Sequence, residues 1–131
     1  MKRVIIAGNR EFNDYDMLRR CVDTILHDDF AAHTPLEFVS GHAHGADELG
    51  EKYFHKQING TGDYKLTLFP ADWGKYGRSA GPIRNREMVN YAGDDGVLIA
   101  FWDGTSPGTR NVINEAIEHG LEVHVYRWKR G

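Results

Sequence analysis

Apolar and polar positions alternate with two different periods along the chain. Short apolar runs typical of buried strands occupy residues 3–7, 36–40, 64–69, 97–102 and 122–127. Between them, apolar residues recur every three or four positions and predict helices over 14–27, 46–58, 82–91 and 109–119. Asn13 or Asp14 is the expected N-cap of the first helix, and Asn59-Gly60-Thr61-Gly62-Asp63 is expected to end the second. The stretches 28–35 and 71–81 are predicted as loops.

This alternation predicts one α/β domain over residues 1–131, with a Rossmann-like three-layer fold. Right-handed crossovers would place helices on both faces of a mostly parallel, five-stranded sheet. The fold type favours the strand order 3-2-1-4-5, which puts the topological switch between the first and fourth strands. Ligands of such sheets bind beyond the carboxyl ends of the strands at that switch.

Composition narrows the expected partners. A hydrophobic fraction of 40% with 27% charged residues is ordinary for a globular protein, and no apolar run approaches the length that spans a bilayer, so no membrane partner is expected. The formal net charge of −3 gives no general attraction to nucleic acid. A single cysteine, Cys21, suits a reducing cytoplasm. The local basic group Lys75, Arg78, Arg84 and Arg86 indicates a small anionic ligand rather than a polymer; whether the protein is a homo-oligomer stays open.

Polar loops rich in glycine follow three of the predicted strands. They are Gly8-Asn9-Arg10, Ser40 to Asp47, and Asp103 to Thr109. Glycine lets a backbone approach a ligand closely, and the free N–H groups at the start of a helix favour an anion. The spacing matches neither the dinucleotide fingerprint nor a Walker loop. The candidate ligand-binding residues are Gly8, Asn9, Arg10, Ser40, Gly41, Gly45, Asp47, Arg84, Asn85, Asp103, Gly104, Thr105, Ser106, Gly108 and Thr109.

Two charged residues carry specific expectations. Arg84 falls near the start of its predicted helix, where a bidentate guanidinium can hold a phosphate group; the structural alternative is an exposed Arg84 paired with Glu87. Asp47 is expected in the first turn of a helix, where a carboxylate is stabilised and can also bind a ribose hydroxyl.

Histidine and aromatic side chains allow further interpretations. His42 and His44 alternate along one loop as two metal ligands would, but no third His or Cys is placed near them, so neither a metal site nor a cofactor is predicted. Trp73 and Tyr76 can stack on a base or anchor their own loop. For Trp102, at a strand end, a structural role is favoured.

Five motifs occur in a characteristic order. They are Gly8-Asn9-Arg10-Glu11-Phe12, Ser40-Gly-His-Ala-His-Gly-Ala-Asp47, Phe69-Pro-Ala-Asp-Trp73, Gly81-Pro-Ile-Arg-Asn85 with Met88, and Ala100-Phe-Trp-Asp-Gly104 with Gly108-Thr109. Together they resemble the small bacterial and phage family called YspA-like or YpsA-related. That family belongs to the SLOG superfamily, which joins the SMF/DprA DNA-processing proteins to the LOG phosphoribohydrolases. The resemblance spans nearly the whole chain and implies a Rossmann-like fold with a nucleotide-type ligand.

The resemblance to the LOG enzymes covers most of two motifs. Their Gly-Gly-x-Gly-Thr loop is matched by Gly108 and Thr109. Their Arg-Lys pair followed by Met is matched by Arg84 and Met88, with Asn85 in the lysine place. This likeness implies a nucleotide N-glycosidase as an alternative function.

The glutamate of the LOG pattern is missing. Its place, three residues beyond the threonine, holds Val112, and Glu115 lies one helical turn further on. A glycosidase needs a carboxylate to stabilise its transition state or to activate water. Glu115, together with Arg84, is therefore the candidate catalytic residue, and Asp47 and Asp103 are the other acids available for this role.

Three functions follow from these observations. The leading prediction is a domain that senses, carries or sequesters a nucleotide or nucleotide-derived small molecule at the carboxyl edge of the sheet. The second is cleavage of such a ligand at its N-glycosidic bond. The third is DprA-like binding of single-stranded DNA, which Arg84-Asn85-Arg86 favours and the negative net charge disfavours.

Overall fold

Strands and helices alternate through the computed structural model, which describes residues 1–58 and 63–129. The strands are β1 (Lys2–Gly8), β2 (Leu36–Ser40), β3 (Tyr64–Leu68), β4 (Val97–Trp102) and β5 (Glu122–Arg127). The helices are α1 (Tyr15–Ile25), α2 (His27–Ala31), α3 (Ala46–Tyr53), α4 (Trp73–Tyr76), α5 (Ala80–Ala92) and α6 (Pro107–Glu118). The predicted helix stop at 59–62 lies outside the described residues. Within them, no helix is both long and apolar enough to cross a membrane.

All five strands are parallel and form one sheet in the order β3-β2-β1-β4-β5. This confirms the predicted Rossmann-like α/β fold and its strand order. β1 is central: Val4 is paired with Phe38 of β2 on one side and with Val97 of β4 on the other. The order of the strands reverses between β1 and β4, so the topological switch lies where the fold type puts it.

The apolar run of β1 is buried on both faces of the sheet. Val4 and Ile6 pack into a core cluster with residues of α1 and α3, whereas Ile5 and Ala7 pack into a second cluster with residues of α5 and α6. Each of these four side chains is 5% exposed or less. Successive strand residues point to opposite faces, so a strand covered by helices on both sides needs an unbroken apolar run.

Both predicted loops contain helical turns, and the loop prediction is wrong at these points. In the stretch 28–35, helix α2 forms because Phe30 packs against the first core cluster and lies at a tilt beside Tyr64, with 6.1 Å between ring centroids. In the stretch 71–81, Asp72 caps α4 by accepting a hydrogen bond from Lys75 N at 3.0 Å, and a 3-10 turn follows over Gly77–Ser79.

Helix boundaries differ from prediction by a few residues. Asp14, one of the two expected N-caps, accepts from Met17 N at 3.0 Å. α3 ends at Tyr53, and Phe54–Ile58 continue it as a π-helical turn. α5 and α6 each begin two residues earlier than expected, and Ser106 caps α6. The earlier start of α6 brings its first turn to the carboxyl edge of the sheet.

Candidate ligand-binding cleft

A cleft of about 690 Å³ opens at the carboxyl edge of the sheet. Its walls come from the segments that follow β1, β2, β3 and β4, beside the switch between β1 and β4. The sequence-predicted residues that line it are Gly8, Arg10, Gly41, Asp47, Arg84, Asn85, Ser106, Gly108 and Thr109. Residues from four separate loops therefore meet in one cavity.

Gly41 lies between the side chains of Arg84 and Asp47. A Cβ atom at Gly41 would be 2.6 Å from Arg84 Nη1 and 2.8 Å from Asp47 Oδ2. Arg84 Nη1 donates a hydrogen bond to the Gly41 carbonyl, and Arg84 Nε donates to Asn85 Oδ1 at 2.9 Å. Arg84 is thus held facing the cleft instead of pairing with Glu87 on the surface of α5. A side chain at this position would displace the guanidinium or the carboxylate from where they now lie.

Asp47 is a buried acid in the first turn of α3. Its side chain is 4% exposed, and Oδ2 accepts from Ala43 N at 3.4 Å. Burial raises the pKa of Asp47 to about 7, and this effect exceeds the opposing attraction of Arg84 and of backbone N–H groups. A carboxyl group with this pKa, lining a cleft, can give or accept a proton near neutral pH.

Asn85 joins α5 to the start of α6. Its buried Nδ2 donates to Asn111 Oδ1 at 2.9 Å and to the Gly108 carbonyl at 3.4 Å. Because Asn85 also accepts from Arg84, this network fixes the guanidinium beside the first turn of α6. A Cβ atom at Gly108 would meet nothing within 4 Å, so that turn is open to the cleft.

The charge of the cleft is opposite to that of the whole chain. Arg10, Arg78 and Arg84 line it, and Asp47 is the only acidic side chain among its described lining residues. Desolvation and repulsion from Arg10 lower the pKa of Arg84, against the opposing attraction of Asp47. A protein of net charge −3 therefore presents a locally positive cavity, which favours an anionic ligand.

Asn9 and Gly45 support the cleft from behind its walls. Asn9 is 1% exposed, its Oδ1 accepts from Asp103 N at 3.0 Å, and its carbonyl accepts from Ala46 N at 3.2 Å. At Gly45 φ is +80°, and a Cβ atom would collide with the carbonyl oxygens of Asn9 and Arg10. The structure therefore packs these two predicted binding residues into contacts that hold the first two loops together.

Ser40 lies below the cleft and takes part in a network that sequence reasoning missed. Ser40 Oγ donates to Glu51 Oε2 at 2.7 Å, and His42 N donates to Ser40 Oγ at 3.0 Å. His42 Nδ1 lies 2.9 Å from Glu51 Oε2, and this contact raises the pKa of His42. His42 lines the cleft. Glu51 lies one helical turn beyond Asp47, where the sequence predicts only the polar surface of a helix.

Asp103 and Thr105 line a second pocket, of about 670 Å³, together with Arg127, and Gly104 lies between them in the chain. Asp103 accepts from Thr105 N at 2.8 Å and from Ser106 N at 3.0 Å, and these bonds lower the pKa of Asp103. A Cβ atom at Gly104 would be 2.6 Å from Arg127 Nη2. The structure thus turns this predicted part of the site toward β5 and away from the main cleft.

Glu115 also lies outside the main cleft. Its Oε1 accepts from Arg86 Nη2 at 3.1 Å, its Oε2 is 3.7 Å from His119 Nδ1, and the residue is 8% exposed. Val112, in the LOG glutamate place, does line the cleft. Three residues further along a helix corresponds to a rise of about 4.5 Å, which moves Glu115 away from the edge of the sheet and against α5.

Stacking on a ligand and a purely structural role are the two functions considered for the aromatic residues near the cleft. Trp73 is 53% exposed and lines the cleft. Tyr76 is 41% exposed and lies over Lys75, with 5.1 Å between Nζ and the ring centroid. Trp102 Nε1 donates to the Ser106 carbonyl at 3.1 Å, which is the structural role favoured for it. His42 and His44 form no group of three metal-ligating side chains within the described residues.

Comparison with known proteins finds a relative encoded by a phage. The Gene 61 protein of Mycobacterium phage D29 is 33% identical to this chain over 123 residues, which is 94% of each protein. No family model matches the chain. No solved structure matches it significantly.

Proposed function

The chain belongs to the family of the Gene 61 protein of Mycobacterium phage D29, and we propose that it binds a nucleotide or nucleotide-derived phosphate ligand in the main cleft. The observation that carries this proposal is the convergence of Arg10, Arg78 and Arg84 on one cavity of an otherwise acidic protein. A ligand at this position lies beyond the carboxyl ends of the strands, at the switch point where such sheets bind nucleotides.

The parts of the cleft suit the parts of such a ligand. The phosphate group would lie against the Arg84 guanidinium and the open first turn of α6 at Gly108. The exposed ring of Trp73 offers a face on which a base can stack. A volume of about 690 Å³ is in the range of small-molecule sites, so the cleft can accommodate more than an inorganic anion.

The resemblance to the SLOG superfamily supports the same ligand class. Two of its motifs, Gly41 to Asp47 and Gly81 to Asn85, both contribute residues to the cleft. The LOG-type glycosidase, by contrast, receives no support from the acid that was its candidate, because Glu115 pairs with Arg86 instead of facing the ligand site.

Exposed arginines provide the test of binding. Arg10→Ala and Arg78→Ala each remove a cation from the cleft without disturbing a buried contact, and each should weaken binding of nucleoside 5′-monophosphates by roughly 1.5–3 kcal/mol where a charge-assisted bond is lost. Calorimetric titration measures this. Arg20→Ala is the control, since Arg20 is also exposed but lies on α1, away from the cleft.

A thermal-shift series provides the independent check. A ligand present at 100 times its Kd should stabilise the protein by about 2.7 kcal/mol. If inorganic phosphate and the nucleoside 5′-monophosphates leave the melting temperature unchanged, or if Arg20→Ala weakens binding as much as the cleft variants do, the proposed function is wrong.

A further inference from the structure

His42 is held in an uncommon conformation at the rim of the cleft. Its φ is +57°, in the left-handed region that residues other than glycine rarely adopt, and its N–H donates to Ser40 Oγ. Such backbone positions persist only where surrounding contacts enforce them, and they concentrate at functional sites. The conformation places the imidazole ring among the residues that line the cleft.

Glu51 determines which ring nitrogen of His42 is available. Glu51 Oε2 and Oε1 lie 2.9 Å and 3.2 Å from His42 Nδ1, and Ser40 Oγ anchors the same carboxylate at 2.7 Å. This arrangement assigns the Nδ1 proton to the bond with Glu51. In the neutral ring, Nε2 then carries the free lone pair. A carboxylate in this position also stabilises positive charge that develops on the ring.

The surroundings of His42 are those that phosphoryl chemistry requires. Arg10, Arg78 and Arg84 line the same cleft and can neutralise the oxygens of a phosphate group. Asp47, buried in the same cleft, supplies a carboxyl group that exchanges its proton near neutral pH. A nucleophile, a cationic cradle and a proton donor are thus brought together by loops from different strands.

We propose that the cleft hydrolyses phosphate monoesters, with Nε2 of His42 as the nucleophile that receives the phosphoryl group. This proposal rests on the proposed function, because it requires the phosphate of the ligand to bind beside Arg84. The substrate class is a nucleotide or nucleotide-derived monoester, whose remaining part would lie against Trp73.

The reaction balances in two steps. In the first, the Nε2 lone pair attacks phosphorus, the ester P–O bond breaks, and the leaving oxygen takes the proton of the Asp47 carboxyl group. In the second, water attacks phosphorus, its proton returns to the Asp47 carboxylate, and the N–P bond breaks. The products are the free alcohol and inorganic phosphate, and both His42 and Asp47 end in their starting states. Glu51 is a positioning residue that stabilises the charged ring while the N–P bond exists.

The direct experiment uses p-nitrophenyl phosphate and nucleoside 5′-monophosphates as substrates of the full chain. We expect phosphate release by the wild-type protein and an acid-labile phosphohistidine in rapidly quenched samples. His42→Asn should reduce phosphate release at least 100-fold, since asparagine tolerates the left-handed backbone but is no nucleophile. His27→Asn is the control, because His27 also contacts a carboxylate, Asp28, but lies on α2.

A second variant tests the role of Glu51. Glu51→Gln should lower kcat at least tenfold and move the acid limb of the rate profile to lower pH. Glu51 is the main group that raises the pKa of His42, with smaller contributions from Asp47 and Glu48. A merely structural role for Glu51 would reduce activity without moving that limb.

The outcomes separate the two proposals. Phosphate binding without phosphate release, or release that survives in His42→Asn, overturns the phosphomonoesterase while leaving the binding function intact. Release of free base instead of phosphate also overturns it and indicates glycosidic cleavage. Absence of any binding overturns both.

Discussion

At the scale of single residues, Asp47 is a side chain whose protonation near neutral pH is changed by the fold. An aspartate ordinarily ionises near pH 4, but burial in the cleft raises the pKa of Asp47 to about 7 in spite of the nearby Arg84 guanidinium. The folded state therefore binds this proton more tightly than the unfolded state does. The resulting contribution to stability is complete below about pH 4 and is lost as the pH rises to about 7.

This difference predicts how an asparagine at position 47 behaves. When the pKa of a group differs by one between the folded and unfolded states, the free energy of unfolding changes by about 1.4 kcal/mol, so ionisation of Asp47 should cost on the order of 4 kcal/mol above pH 7. Asp47→Asn should remove this cost and raise the melting temperature of the ligand-free protein at pH 8, with a rise less than half as large at pH 5, where only part of the interval between the two pKa values has been crossed. Calorimetry in buffers without phosphate measures both values. Equal effects of the substitution at the two pH values would contradict the burial argument.

At the scale of structural elements, the cleft depends on how closely two loops approach each other. Gly45 precedes α3 with φ +80°, and its missing side chain leaves room for the carbonyl oxygens of Asn9 and Arg10. Ala46 N then donates to the Asn9 carbonyl. This contact holds the start of α3, which carries Asp47, against the loop after β1, which carries Arg10.

A pair of glycine variants compares an open position with one that is enclosed by backbone atoms. Gly120 has φ +77° and a Cβ atom there would meet nothing within 4 Å, whereas at Gly45 it would collide with backbone. Gly120→Ala should cost about 1–2 kcal/mol for the left-handed conformation alone. Gly45→Ala should cost at least about 2 kcal/mol more, because backbone atoms must move. Urea unfolding measures both; equal costs would show that the two loops are not tightly packed.

At the scale of the whole molecule, positive charge is concentrated at the carboxyl edge of an acidic protein. Arg10, Arg78 and Arg84 line the main cleft, and Arg127 and Lys129 line the second pocket. The remaining surface carries the excess of acidic residues that makes the net charge −3. This distribution favours a compact anion over a polymer, whose phosphates would extend beyond the basic edge.

Single-stranded DNA should accordingly bind weakly. Fluorescence anisotropy with an unrelated oligonucleotide should give no submicromolar affinity near 150 mM salt, and any binding at 50 mM salt should weaken steeply by 200 mM as counterions compete. A submicromolar Kd at 150 mM salt would instead favour the DprA-like function, and Arg127→Ala would then show whether the second pocket extends the binding surface.

The alternation of apolar and polar positions, together with the rules for parallel sheets, was sufficient to predict the strands, the main helices, the strand order and the edge of the sheet at which the main cleft opens. Periodicity is a local property of the sequence, and the rules for parallel sheets are general to this type of fold. The same reasoning missed α2 and α4, which lie in short, mostly polar stretches without a helical period. α2 depends on the packing of Phe30 against the core, and α4 depends on the cap that Asp72 provides.

Which side chains share the cleft is a consequence of three-dimensional packing. The rise along α6 carries Glu115 away from the cleft to Arg86, and the path of the chain after β4 packs Gly104 against Arg127. The same packing brings Glu51 to His42, a pair nine residues apart that no sequence period joins. Periodicity predicts which face of a helix or strand a residue lies on. A contact between two elements also depends on their distance and on the side-chain rotamers, and these are determined only when the sheet and its helices have assembled.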